Sequence, residues 1–123
     1  MHDATQFAPE IMNRFTGSEH WYRHWANRKI LFTDGAEHVA KAGGAFWLLD
    51  LIAIEQTHNK TVAAEEFQAW TLKVDLVRHT GHLTCEDGNG RTVFTKAIAF
   101  TDFPVPEITL WFENNTIYLP SER

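Results

Sequence analysis

The spacing of apolar and polar positions changes character once along the chain. The first half runs in helical steps of three and four, and the second half in steps of two. From Pro9 to Phe15, the residues Ile11, Met12 and Phe15 have helical spacing, with Pro9 placed where a first-turn proline is tolerated. Thr16-Gly17-Ser18 breaks that segment. Trp21, Arg23 and Trp25 then alternate with Tyr22 and His24. This suits a short strand, and it equally suits the opening of a helix capped by Ser18. Asn27-Arg28-Lys29 reads as a turn and Ile30-Leu31-Phe32 as a short strand. A helix follows, with Asp34 as its N-cap and Glu37 at capping-box spacing. Ala36, Val39 and Ala40 form its apolar stripe, and Gly43-Gly44 ends it. Phe46 to Thr57 is apolar nearly all round, which predicts the central, most buried helix. Thr61 to Phe67 reads as a shorter third one.

Beyond it, Trp70, Leu72, Val74 and Leu76 alternate with Thr71, Lys73 and Asp75, the signature of a strand with one packed face. His79-Thr80-Gly81 reads as a turn and Leu83 to Glu86 as the returning strand. Asp87-Gly88-Asn89-Gly90 supplies the positive φ angles of a tight hairpin. Thr92 to Phe100 is a long strand stopped by Pro104 and Pro106, and Ile108 to Glu113 pairs with Thr116 to Leu119 across Asn114-Asn115. The expected fold is α+β: an antiparallel meander sheet of four to five strands in the C-terminal half. Two to four helices from the N-terminal half pack on one of its faces.

With 123 residues, 44% of them hydrophobic, the chain can close one core, and residues 1–123 read as a single domain. A net charge of −5 and scattered Lys and Arg argue against a nucleic-acid partner. The longest apolar run, Ala45 to Ile54, contains Asp50 and is far shorter than the roughly 20 residues that span a bilayer, so no membrane partner is expected. The single Cys85 can form no internal disulfide, and the chain start lacks a signal-peptide pattern, so the cytoplasm is the expected compartment.

Phe15-Thr16-Gly17, Tyr22-Arg23-His24, Thr33-Asp34-Gly35, Phe46-Trp47-Leu48-Leu49-Asp50, Asp87-Gly88-Asn89-Gly90, Thr101-Asp102-Phe103-Pro104 and Leu119-Pro120-Ser121-Glu122 together resemble a family of short, uncharacterised bacterial proteins, a domain of unknown function. The likeness spans nearly the whole chain. It implies a bacterial origin and carries no activity, cofactor or catalytic residue.

Seven histidines are many for this length. His20 and His24 are four apart, as are Asp34 and His38, so His20, His24, Asp34 and His38 form a candidate metal set. On a helix the histidine pair shares a face; on a strand it is roughly 13 Å apart, too far to chelate together. The structural alternative is ordinary hydrogen-bonded histidines among aromatics. Asp50 is the only charge in its apolar run, so it needs a polar helix edge shared with Thr57 or a buried partner: Arg14, Arg23 or a histidine. Cys85 has no catalytic motif around it, and Gly88 and Gly90 join strand to strand rather than opening a phosphate-binding helix. Trp111 is out of phase with Ile108, Leu110 and Phe112 and so belongs to the sheet's other face. There, with Tyr118, it is a candidate partner surface for a homodimer. Two functions follow: a non-catalytic binding or assembly module, or a small metal-dependent or hydrolytic enzyme using His20, His24, Asp34 and His38. The cofactor is not specified by any motif.

Overall fold

A computed structural model describes residues 3–17 and 19–123. Among these, four α-helices stand against one mixed seven-stranded sheet. The strands are β1 (Trp21–Arg23), β2 (Leu31–Thr33), β3 (Phe67–Asp75), β4 (Thr80–Glu86), β5 (Thr92–Ile98), β6 (Glu107–Glu113) and β7 (Thr116–Tyr118). The helices are α1 (Pro9–Met12), α2 (Asp34–Gly43), α3 (Phe46–His58) and α4 (Lys60–Ala63). The fold is α+β as expected, but the sheet is larger than a four- to five-strand antiparallel meander. Its order is β1-β2-β7-β6-β3-β4-β5. The N-terminal β1–β2 hairpin joins the C-terminal strands through a parallel pairing, Leu31 with Thr116 and Phe32 with Ile117. Only β3, β4 and β5 run as a meander. After β5 the chain crosses back and β6 pairs with β3. Two backbone bonds guide the crossing past the β3–β4 turn, Thr101 N to His79 O and Val74 N to Pro106 O. Phe103 then fills the space at Gly43, where a Cβ would lie 2.4 Å from its ring.

Local chemistry explains the other departures. Trp21–Arg23 is a strand, paired antiparallel to Leu31–Thr33; Ser18, the alternative cap, lies outside the described residues. The N-cap of α2 is Thr33, not Asp34: the Thr33 hydroxyl accepts from Ala36 N at 3.3 Å, and Asp34 is the first helical residue. Either residue type can cap, and the register chose the one whose neighbour is free for other bonds. The helix expected over Thr61 to Phe67 is the single turn α4, and Phe67 already belongs to β3. Gln68 stops it. Its side chain is fully buried and donates to the carbonyls of Val62 and Glu65, while its Oε1 accepts from Gln56 and from the Trp70 indole. A buried amide with every group paired costs little. The β3–β4 turn falls before Thr80, with His79 left-handed at φ 58°. The Asn114-Asn115 hairpin has both residues left-handed, at φ 54° and 58°, as its sequence demands.

The core lies between helices and sheet. Leu48, Leu49, Ile52 and Ala53 of α3 and Val39 and Ala40 of α2 meet Trp70, Leu72, Leu83, Cys85, Leu110 and Ile117. Gln68, Trp70 and Leu72 fix the packed face, so Ala69, Thr71 and Lys73 point the other way. No helix among the described residues is long and apolar enough to cross a membrane.

Candidate functional site

The β1–β2 loop docks on the polar edge of α3. His24, only 2% exposed, is its centre. Nδ1 of His24 accepts from the backbone N–H of Ala26 at 3.2 Å and of Asn27 at 3.0 Å. An atom accepting two N–H groups carries no proton, so the hydrogen-bond pattern assigns the proton to Nε2. Nε2 then donates to Asp50 Oδ1 at 2.7 Å. The Trp25 indole donates to the same oxygen at 3.1 Å. Asn27 continues the docking, donating to Ala53 O and Thr57 Oγ1. Asp50 therefore sits on the polar edge shared with Thr57 and has a histidine partner, with a side chain about one-third exposed (35%).

The second polar place is a cleft of about 540 Å³ at the start of α2, lined by residues including Glu19, Asp34, Glu37, His38 and Lys41. Asp34 accepts from the Tyr22 hydroxyl at 3.1 Å and from the backbone N–H of His20 at 3.3 Å. Bonding to that carboxylate is the first cause raising the Tyr22 phenol above its ordinary range, with burial and Glu37 adding to it. His20 Nδ1 lies 3.5 Å from Asp34 Oδ2. His38 Nε2 donates to Gln6 O at 2.8 Å, its ring beside Phe7 and Phe15. The four candidate ligands thus divide. His20, Asp34 and His38 belong to the α2 end, while both nitrogens of His24 are committed elsewhere. Among the described residues, no three His, Cys, Asp or Glu are grouped to hold a metal ion. Cys85 is buried, and that burial pushes its thiol up to about 12, which keeps it a core thiol rather than a thiolate nucleophile.

The third place is the sheet face that carries no helix. Trp111 and Tyr118 lie there opposite one another in the β6–β7 register. Their own chain already covers them in part. Phe67 packs edge-on to Trp111, and the Arg123 guanidinium lies 5.5 Å from both the Phe67 and Trp111 rings. Tyr118 is 9% exposed and donates to Glu113. Burial first, then that bond, raises its phenol. The open centre lies beside them, in Ala69, Thr71, Thr84 and Thr109, none of which is buried. Thr71 and Thr109 face each other across β3 and β6 with hydroxyls 3.0 Å apart. Strand phase and register place all four on this face, while no aromatic, charged or metal-ligating side chain marks them in the sequence.

Comparisons with curated proteins and with solved structures find no match. A family model does match, over residues 7–123, and the chain belongs to that family of unknown function, DUF6876.

Proposed function

We propose that the chain is a non-catalytic assembly module in which two copies pair through the helix-free face of the sheet. A wet face is ordinary in antiparallel sheets, so exposure alone argues nothing. The observation that carries the reading is the composition of the face's centre. Ala69, Thr71, Thr84 and Thr109 are small or β-branched, and the Thr71 and Thr109 hydroxyls already satisfy each other. Such a centre can be covered without orphaning a polar group or desolvating a charge. Charges stand toward the ends of the strands, at Lys73, Asp75, Glu86, Glu107 and Glu113, where an interface rim belongs.

Size sets a requirement. Six inter-strand spacings across seven strands of about six residues make a face of ~30 by ~20 Å, on the order of 600 Å², against about 800 Å² per partner in a standard interface. Pairing must then use the whole face, from Trp21 through Trp111 to Ala97. A reducing compartment such as the cytoplasm suits the free Cys85, and the acidic charge makes nucleic acid a poor partner. Sedimentation velocity tests the reading. The expected mass is twice the 14.2 kDa chain, falling to the monomer in Thr71→Lys, whose added charges would meet across the interface. A wild-type monomer at about 100 μM would overturn it.

The enzyme alternative rests on a different observation, the His20–Asp34 contact at the start of α2, beside a cleft that Asp34 and His38 line. It requires catalysis without His24, and it predicts stoichiometric zinc, manganese or iron in untagged protein. Protein that neither retains nor takes up metal contradicts it.

A further inference from the structure

On the opposite side of the molecule from that sheet face, the geometry points to a second recognition site: a surface patch at Asp50, with Trp25 bonded to that carboxylate and Phe46 one helical turn away, that takes an arginine side chain from a partner protein. Three observations meet there. First, the Asp50 carboxylate has no Lys or Arg partner among the described residues. Its Oδ1 takes both available bonds, from His24 Nε2 and Trp25 Nε1, while Oδ2 has no partner among the described residues. The tautomer fixed by Ala26 and Asn27 leaves the His24 ring uncharged. Three other carboxylates of the fold do meet a cation. Asp87 and Glu65 meet Arg91, and Glu113 meets Arg123.

Second, the surroundings are aromatic and exposed. Trp25 is 75% and Phe46 46% exposed. Phe46, Asp50 and Ile54 recur at intervals of four and so line one edge of α3, with Ile54 at 45%. Third, Trp25 is held rather than loose, because its indole N–H is bonded to the carboxylate. An indole kept at the surface by a charge presents an open π-face beside that charge.

An arginine fits this combination better than a lysine does. Its planar guanidinium can stack on the indole while donating N–H groups sideways to Oδ2, whereas an ammonium must choose between ring and carboxylate. The apolar flank at Ile54 suits an aliphatic neighbour in the same peptide segment.

The probe is a blocked tetrapeptide of glycine, arginine, leucine and glycine, titrated into the full chain. The readout is the indole N–H resonance of Trp25, assigned by its loss in Trp25→Phe. A saturable shift with millimolar affinity is expected, confined to Trp25, Phe46, Asp50 and Ile54. The lysine version should bind about fivefold more weakly or worse. Asp50→Asn keeps the Oδ1 acceptor for His24 and Trp25 but removes the charge, and it should weaken binding by about tenfold. No shift up to ~50 mM peptide, equal binding of the lysine and arginine peptides, or unchanged binding in Asp50→Asn would each overturn the site. Should Asp50→Asn fail to fold, the arginine–lysine comparison on the wild-type chain still decides. Thr71→Lys leaves this site intact, so its loss of pairing and the binding of peptide are separate results.

Discussion

Replacing His24 by alanine removes three hydrogen bonds at once. The backbone N–H groups of Ala26 and Asn27 lose their shared acceptor, and Asp50 loses the donor at 2.7 Å. Neutral bonds contribute about 1 kcal/mol each and a bond to a carboxylate about 1.5–3 kcal/mol. Ala26 is exposed and Asn27 half-buried, so water replaces part of the loss at the turn. The net cost is about 2–4 kcal/mol. A domain of 123 residues has an unfolding entropy that converts each kcal/mol into roughly 4 °C, so Tm should fall by about 8–16 °C. Two further variants separate the ring's two nitrogens. The Asn Oδ1 atom occupies the place of imidazole Nδ1, and the Gln Nε2 atom the place of imidazole Nε2. His24→Asn should keep the turn and lose the Asp50 bond; His24→Gln should do the reverse. Each is expected to recover roughly half of the alanine loss in urea denaturation followed by circular dichroism. An alanine variant within about 1 kcal/mol of wild type would refute the central role of His24. Asn and Gln variants as unstable as alanine would refute the division of labour between its nitrogens.

Gly35→Ala should destabilise although alanine favours a helix, because the new Cβ would meet Glu122 Oε1 at 2.5 Å and Leu119 Cδ1 at 2.6 Å. Glu122 accepts from Thr33 Oγ1, Gly35 N and Leu119 N, so displacing it should cost about 1–3 kcal/mol. In urea melts, Gly35→Ala combined with Glu122→Ala should fall little further than either alone; full additivity would count against the shared cause. Both tyrosines of the chain have raised phenols, Tyr22 through the Asp34 bond and Tyr118 through burial. Tyrosinate absorbance should therefore develop above the ordinary value near 10 in folded protein and at it in urea. The stability these groups contribute is present below that ordinary value and lost as pH rises through the raised ones. Asp75 and Asp87 are shifted the other way, first by the backbone N–H groups of Arg78 and Arg91 respectively. Their contribution is present above the ordinary carboxylate value and lost as pH falls through the depressed one, below about pH 4. Urea midpoints of Asp75→Asn with Asp87→Asn should depend less on pH in that window than those of wild type.

Much of the fold was legible because local chemistry and tertiary structure agreed. Asn114-Asn115 and Asp87 to Gly90 specify their own turns, and Phe46 to Thr57 forms the long helix expected, buried at Leu48, Leu49, Ile52 and Ala53 but exposed at Phe46 and Ile54. The parallel pairing of Leu31 with Thr116 was not legible. Two three-residue strands, far apart in sequence, meet only because the helices bring them to one edge, and no local periodicity records that. Gln68 was hidden for a related reason: its burial depends on Gln56 and on two carbonyls of α4 that converge only in three dimensions. Asp50 was conspicuous as the single charge in an apolar run, yet arginines and histidines were all open partners. The choice of His24 followed from the β1–β2 hairpin, which sets that ring against α3. The split of the histidine set has the same origin. A strand through Trp21 to Arg23 separates His20 from His24, where a helix would have joined them.

The pairing of two copies through the helix-free face is tested most directly by solvent accessibility of its methyl groups. A soluble paramagnetic agent should relax the methyls of Val77, 89% exposed at the far turn, at every protein concentration. Those of Ala69, Thr71, Thr84 and Thr109 should become protected as concentration rises and stay accessible in Thr71→Lys at the remaining positions. Equal relaxation of these methyls at low and high concentration would contradict the account.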